Sequence, residues 1–383
     1  MYKMPSRLLI LFLLFVSVQI SIGQGRMSAS ELKKCVDPVR LTTHLIDGAE
    51  NDMEKLEVIF QWIIDHIQYD KKALTQDSQR INQSLEDVLK RKKALCVGYA
   101  RLLVEMCTQA GIRAVEVSGY VRSIDNANTF DVPDHSWNAV FIEGKWQLLD
   151  PTWAAGLKEK TNALMQKYDV NYFLTDPGIF ILNHVPSLPI WQLLVCPLPL
   201  EMFYMSTDKL ESYLEYNQEC EVEKQREKYL ALSKKDQTYE ANKASYLFNP
   251  GPYNRKIYAS SVLDRALGLK EKGDDHFYNG EYDEASAVYS SALGDISTEI
   301  MDGFALQDWQ REGIALIYFH RGQITYNSIT SKQDPEYEQK MARVLDDLRA
   351  AKWYAKYIKP TILNQGFLDQ LGQTLRMVEE QME

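Results

Sequence analysis

Apolar residues at Met53, Leu56, Ile59, Phe60, Ile63, Ile64 and Ile67 recur at spacings of three and four. That period predicts an amphipathic helix with one face on a core. Ser84 followed by Asp87 reads as a capping box that opens a second, short helix carrying Leu85, Val88 and Leu89. A third helix is expected to begin close to Cys96, with Ala100, Leu103, Val104 and Cys107 as its apolar face and Gly111 at its C-terminal end. The pattern then changes to period two. Residues 114–121 alternate as a half-buried strand does. Residues 137–142 and 145–149 read as two further strands joined by a tight hairpin at Glu143-Gly144. Helices followed by an antiparallel sheet predict an α+β domain rather than a doubly wound one.

Beyond the hairpin, residues 157–200 are broken by Pro177, Pro186, Pro189, Pro197 and Pro199 but carry Tyr168, Tyr172, Phe173, Phe180 and Trp191. They read as an aromatic extension of the first domain, which is placed at 25–200. Residues 201–250, charged over much of their length, are read as a linker or boundary segment. Residues 251–383 form the last unit, all-α and repetitive. There Ala266, Gly273, Gly280, Ala285, Tyr289 and Ala292 place small residues at a helix crossing and a glycine at the turn, as a tetratricopeptide unit does. A weaker copy runs from Ala315 to Ala351, and a final helix from about 361 to 381 would cap the stack. Two units are fewer than a free-standing array needs, so docking on the first domain is expected.

A chain of 383 residues is long enough for two such domains. The net charge of −10 argues against nucleic acid or an anionic membrane as partner, since phosphate binding needs a basic face. At the N-terminus, Lys3 and Arg7 precede an apolar run from Leu8 to Val18 and then small residues to Gly23. This is the pattern of a secretory signal peptide, assigned to residues 1–24. The run is short for a membrane span, which takes about 20 residues. The expected location is therefore exported, periplasmic or extracellular, with no transmembrane span beyond the leader. Five cysteines leave at least one thiol unpaired, and the lack of a C-x-x-C pair argues against structural zinc. No metal or organic cofactor is expected.

Three residues suit nucleophilic chemistry. A cysteine attacks as thiolate, and a helix N-terminus favours that form; Cys96 falls at one. Its own amide is a candidate oxyanion donor. If Glu143-Gly144 is the turn, paired positions sum to about 287, so His135 and Asp150 reach the same end of the hairpin by local pairing alone. The carboxylate would then fix the tautomer of an imidazole that serves as base and acid. Trp137, Trp153 and Tyr69 are candidate walls of a substrate cleft, and His184 could line it from the aromatic extension. Cys107 lies in the apolar stripe and reads as core.

The segments Cys96-Val97-Gly98-Tyr99-Ala100, His135-Ser136-Trp137-Asn138 and Asp150-Pro151-Thr152-Trp153 together resemble the transglutaminase-like superfamily, whose core is related in arrangement to papain-type cysteine proteases. The likeness covers about residues 50–155. Tyr172 to Pro177, His184-Val185-Pro186 and Trp191 to Leu194 are similar to its kyphoscoliosis-peptidase branch. The resemblance implies a transglutaminase-like, papain-like domain with Cys96 as nucleophile, His135 as base and acid, and Asp150 as orienter. It implies an acyl-transfer enzyme acting on protein or peptide amides through a thioacyl intermediate, with hydrolysis favoured because water needs no acceptor site. The rival expectation is an idle fold that grips a partner peptide, since fold likeness does not choose among reactions. The helical repeat would supply a surface for a protein partner.

Overall fold

The computed structural model describes residues 27–75, 83–122, 129–156, 171–214, 220–301, 304–333, 335–361 and 364–382. The expected leader at 1–24 lies outside them. Among the helices that precede the sheet, three position the site: α1 (Asp52–His66), α2 (Leu85–Arg91) and α3 (Cys96–Gln109). Asn51 caps α1 by accepting from the Glu54 amide, and Ser84 caps α2 by accepting from Asp87. Past α3, Gly111 takes φ of +81°, the left-handed conformation that ends a helix.

The sheet has four strands: β1 (Arg113–Val121), β2 (His135–Ile142), β3 (Lys145–Leu149) and β4 (His184–Pro186), in the spatial order β3-β2-β1-β4. All neighbours are antiparallel. The β2–β3 register pairs Ile142 with Lys145 and Asn138 with Leu149, as the hairpin turn predicts. A two-residue parallel pairing, Gln68–Tyr69 with Lys93–Ala94, closes the gap between α1 and α3.

Helix α3 buries Tyr99, Leu102, Leu103, Met106 and Cys107 against the sheet, and α1 adds Leu56, Ile59, Phe60 and Ile63 to the same core. Burying such side chains contributes about 1.5–3 kcal/mol each. One polar group pins helix to sheet. The fully buried Asn138 of β2 donates through Nδ2 to the Ala100 carbonyl at 2.9 Å and to that of Val115 at 3.3 Å. Gly119 of β1 is needed for a different reason: a Cβ there would collide with the Val185 carbonyl and the Trp137 ring. Its absence lets β4 close on the edge of the sheet.

The aromatic extension is tied down by Arg122, a buried guanidinium that donates to the carbonyls of Leu182, Phe203 and Met205 and to the Thr207 hydroxyl. Cys196 and Cys220 form a disulfide, leaving Cys35, Cys96 and Cys107 free. Residues 201–250, read as linker, hold the helices Thr207–Leu214, Val222–Leu230 and α4 (Lys234–Phe248).

The C-terminal region is all-α. It contains α5 (Pro252–Tyr278), α6 (Tyr282–Leu293), α7 (Asp308–Asn327), α8 (Tyr337–Ala355) and α9 (Gln365–Met382), with a short helix Thr298–Met301 after α6. Gly280, with φ of +79°, turns α5 into α6, and Gly273 lets the Tyr289 ring lie against the α5 backbone. Leu263, Ala285, Tyr289, Ile314, Val344, Leu348 and Leu375 share one core. Among the described residues no helix is long and apolar enough to cross a membrane.

Helices α4 and α5 meet the sheet through buried amides. Asn249 Nδ2 donates to the Tyr120 hydroxyl at 3.0 Å and to the Phe130 carbonyl at 2.6 Å; Asn254 Nδ2 donates to the same hydroxyl at 3.0 Å and to the Asn249 carbonyl at 2.9 Å. Replacing Tyr120 by Phe leaves one N–H of each amide without that partner in a buried interface. The expected loss is about 1–3 kcal/mol of unfolding free energy, read from the urea midpoint at constant slope.

Candidate active site

Cys96 is the first residue of α3 and is half-buried, whereas the free thiols of Cys35 and Cys107 are buried. The chain enters this helix under tight constraint. The Leu95 amide donates to Gln83 Oε1 at 3.1 Å. A Cβ on Gly98 would stand 2.6 Å from that oxygen and 2.8 Å from Ala94 Cβ, so glycine is required for the first turn to pack. The Tyr99 hydroxyl donates to the Ile67 carbonyl at 2.5 Å and ties α3 to the end of α1. The Gln68–Tyr69 pairing then sets Tyr69 beside Cys96. Its phenol is pushed up to about 12 by burial and by the negative charges of Cys96 and Asp150.

His135 opens β2, opposite Gly119 of β1. Its Nε2 lies 2.7 Å from Asp150 Oδ2, and the Cys96 sulfur is near enough to help raise the ring's pKa. Because Nε2 is committed to the carboxylate, Nδ1 is the nitrogen left for sulfur. Asp150 follows β3 directly and is fully buried. Its Oδ1 accepts from the amides of Thr152 at 2.8 Å and Trp153 at 3.1 Å, the first turn of the short helix Pro151–Gly156. Oδ2 accepts a second imidazole as well: His184 Nε2, at 3.1 Å.

The charges follow from these contacts. Burial disfavours an ionised Asp150, but the charge and hydrogen bonds of His135 and the bond from His184 outweigh it and hold the carboxyl well below its usual range. Burial likewise disfavours a charged His135. The Asp150 charge and hydrogen bond, joined by those of Cys96, reverse that and raise its pKa well above that of an ordinary imidazole. His184 goes the other way: burial lowers it to about 4, and Asp150 only partly compensates. Cys107 is pushed up to about 12 by burial alone, which marks it as an inert core thiol.

One nitrogen each from His135 and His184 and one oxygen of Asp150 lie within 4.8 Å of one another, which raises the question of a metal. The direct separations of 2.7 and 3.1 Å are hydrogen bonds. Ligands on tetrahedral zinc at about 2.0–2.1 Å stand about 3.3–3.4 Å apart. With the Asp150 oxygens already carrying four donors, the set suits a proton-holding relay rather than a cation.

Cys96, His135 and Asp150, expected from sequence to converge, are thus brought together. Trp153 is half-buried with its ring 5.8 Å from that of His135, and the half-buried Tyr69 faces the sulfur's side of the site. Trp137 requires a correction. It is fully buried, 5.9 Å beneath the His135 ring, and backs the imidazole instead of walling an open cleft. His184, which the sequence allows as a cleft-lining residue, sits in the core as the second partner of Asp150. No local signal marks that role, because β4 joins the sheet from far along the chain.

Residues 39–151 match the family model of the transglutaminase-like superfamily. The chain is similar to the kyphoscoliosis peptidase of Mus musculus, 39% identical over 167 residues that make up 43% of this chain and 25% of that protein. The kyphoscoliosis peptidase of Homo sapiens is 38% identical over a stretch with the same coverage. The chain therefore spans about a quarter of the length of these relatives. A solved structure described as a TGase is 25% identical, covers 40% of this chain and 40% of its own, and superposes with a TM-score of 0.26. The stretch 39–151, which holds Cys96 and the hydrogen-bonded pair His135 and Asp150, is a transglutaminase-like domain.

Proposed function

We propose that the chain is an exported cysteine acyl-transfer enzyme that opens amide or peptide bonds and passes the acyl group to water in preference to an amine. One observation carries the reading: a half-buried thiol at a helix start beside an imidazole whose Nε2 rests on a buried carboxylate. In the first step the Cys96 thiolate bonds to the substrate carbonyl carbon, His135 gives its proton to the leaving nitrogen, and the C–N bond breaks. In the second, water attacks the thioester, His135 takes the proton, and the C–S bond breaks to release the acid. The Cys96 amide, at a helix N-terminus, is the backbone donor proposed for the transient oxyanion. Tyr69 and Trp153 flank the sulfur and the imidazole. Hydrolysis is favoured because water needs no dedicated acceptor site. Export is supported by the leader-like N-terminus and by the Cys196–Cys220 disulfide, a bond that persists in oxidising compartments. The helical region is proposed to present the domain to a protein partner.

The test is alkylation of the full-length protein by iodoacetamide, mapped by mass spectrometry across pH. A thiolate–imidazolium pair is expected to react at about pH 6 within a few-fold of its rate at about pH 8. A free thiol of pKa about 8.5 loses on the order of a hundredfold over the same interval. Preferential labelling of Cys35 or Cys107, or a free-thiol profile at Cys96, would overturn the reading.

A further inference from the structure

We infer that His184 is a second positioning residue of the site, a neutral donor that fixes the Asp150 carboxylate on which His135 depends; this rests on the acyl-transfer reading above. The strand β1 sets both rings. Gly119 pairs with His135 on one side and Val121 with His184 on the other, so two imidazoles converge on one carboxylate oxygen across a glycine. Asp150 then receives four donors: His135 and His184 at Oδ2, and the amides of Thr152 and Trp153 at Oδ1. A carboxylate has about four lone-pair sites, so it can neither swing nor accept a fifth partner.

The surroundings of His184 hold it uncharged. The ring is fully buried and stacks on Phe180 at 4.1 Å, with Trp153 at 4.6 Å, Trp137 at 5.1 Å edge-on and Tyr172 at 5.5 Å. An ionised carboxylate only accepts, so Nε2 must carry the single proton of the neutral ring. Nδ1 lies 2.5 Å from Asn183 Oδ1, and Asn183 Nδ2 donates to the Tyr172 hydroxyl at 2.8 Å; a neutral Nε2–H ring requires that amide turned over, so that its nitrogen donates to Nδ1 and the Tyr172 hydroxyl donates to its oxygen. The other titratable groups facing this network are Cys96 and Tyr99 from α3 and Tyr69 from the strand before it. Tyr69 and Tyr99 both titrate above the neutral range, so neither adds charge to the network at neutral pH. Removing the His184 donor leaves a buried carboxylate one hydrogen bond short, which raises the pH needed to hold it ionised and so weakens the anchor of the thiolate–imidazolium pair.

Iodoacetamide alkylation of Cys96 against pH tests this without knowledge of the substrate. In His184→Phe, which fills the aromatic box without a donor, the acid-side midpoint is expected to rise by about one pH unit, slowing labelling by about tenfold at pH values below the midpoint of the unsubstituted protein. His184→Gln, whose amide nitrogen can reach the place of Nε2, is expected to recover to within about threefold of the unsubstituted protein. Superposable profiles for the unsubstituted protein and His184→Phe would overturn the inference, as would equal loss in both variants, which is the signature of a packing defect. If His184→Phe does not fold, 15N-histidine NMR of the unsubstituted protein decides. His184 is expected as a neutral Nε2–H ring from about pH 5 to 8, and titration within that range would overturn the role. Failure of the underlying reading looks different: the unsubstituted protein itself would alkylate as a free thiol.

Discussion

Asp150→Asn is expected to lower the rate of acyl-adduct formation on Cys96 by about four orders of magnitude, the scale seen when an orienting carboxylate loses its charge and sets the wrong imidazole tautomer. The geometry gives the reason. Oδ1 and Oδ2 each accept two donors, so an amide NH2 in place of either oxygen meets two N–H groups head-on. Breaking a buried pair on one side also costs about 3–5 kcal/mol of folding free energy. The pH dependence has a defined sign. Asp150 is depressed in the folded state, so its contribution is present above the ordinary carboxylate pKa of about 3.9 and is lost as pH falls toward the folded value. His135 is raised, so its contribution is complete below about pH 6.5 and is lost only as alkaline pH reaches the folded value. Urea titrations of the two proteins are therefore expected to differ most near neutral pH and to converge in acid. A gap that widens on acidification would contradict the assignment of Asp150 as the ionised member.

Cys96→Ala is expected to remove turnover and covalent labelling altogether while leaving the urea midpoint close to that of the unsubstituted protein, because the side chain is half-buried and small. Mass spectrometry after exposure to a mixed peptide pool reads the first effect as loss of the thioacyl adduct. Cys107 serves as an internal control: buried and held as a thiol, it should remain unlabelled until the protein unfolds. The same variant separates catalysis from mere capture. Equal peptide binding by both proteins, with no turnover by either, would favour the idle peptide-gripping fold over the enzyme.

The parts of this site that local chemistry encodes were readable from the sequence. The helix start at Cys96 follows from the apolar stripe behind it, and the meeting of His135 with Asp150 follows from a two-residue turn that fixes the β2–β3 register. What escaped depends on distance along the chain. The strand β4 is three residues long, sits between prolines and pairs with β1 some 60 positions earlier, so no period announces it. With β4 came His184 and the second bond on Asp150. Trp137 was misjudged for another reason. Almost every residue of β2 is buried, so alternation along a strand covered on both faces does not say which side chains see solvent. Residues 201–250 look solvated by composition, yet Tyr239 and Tyr246 of α4 bury their rings against Tyr258 of α5.

The closure of β4 over Gly119 bears on how this protein can be dissected. A fragment trimmed to the stretch that matches the superfamily would stop at residue 151 and omit 184–186. Its sheet would end in the bare hydrogen-bonding groups of Tyr120 and Val121, an invitation to edge-to-edge aggregation, and Asp150 would lose one of its donors. Excision at the boundaries of sequence similarity would thus discard part of the working machinery, and any recombinant piece meant to retain the chemistry has to run at least through Pro186.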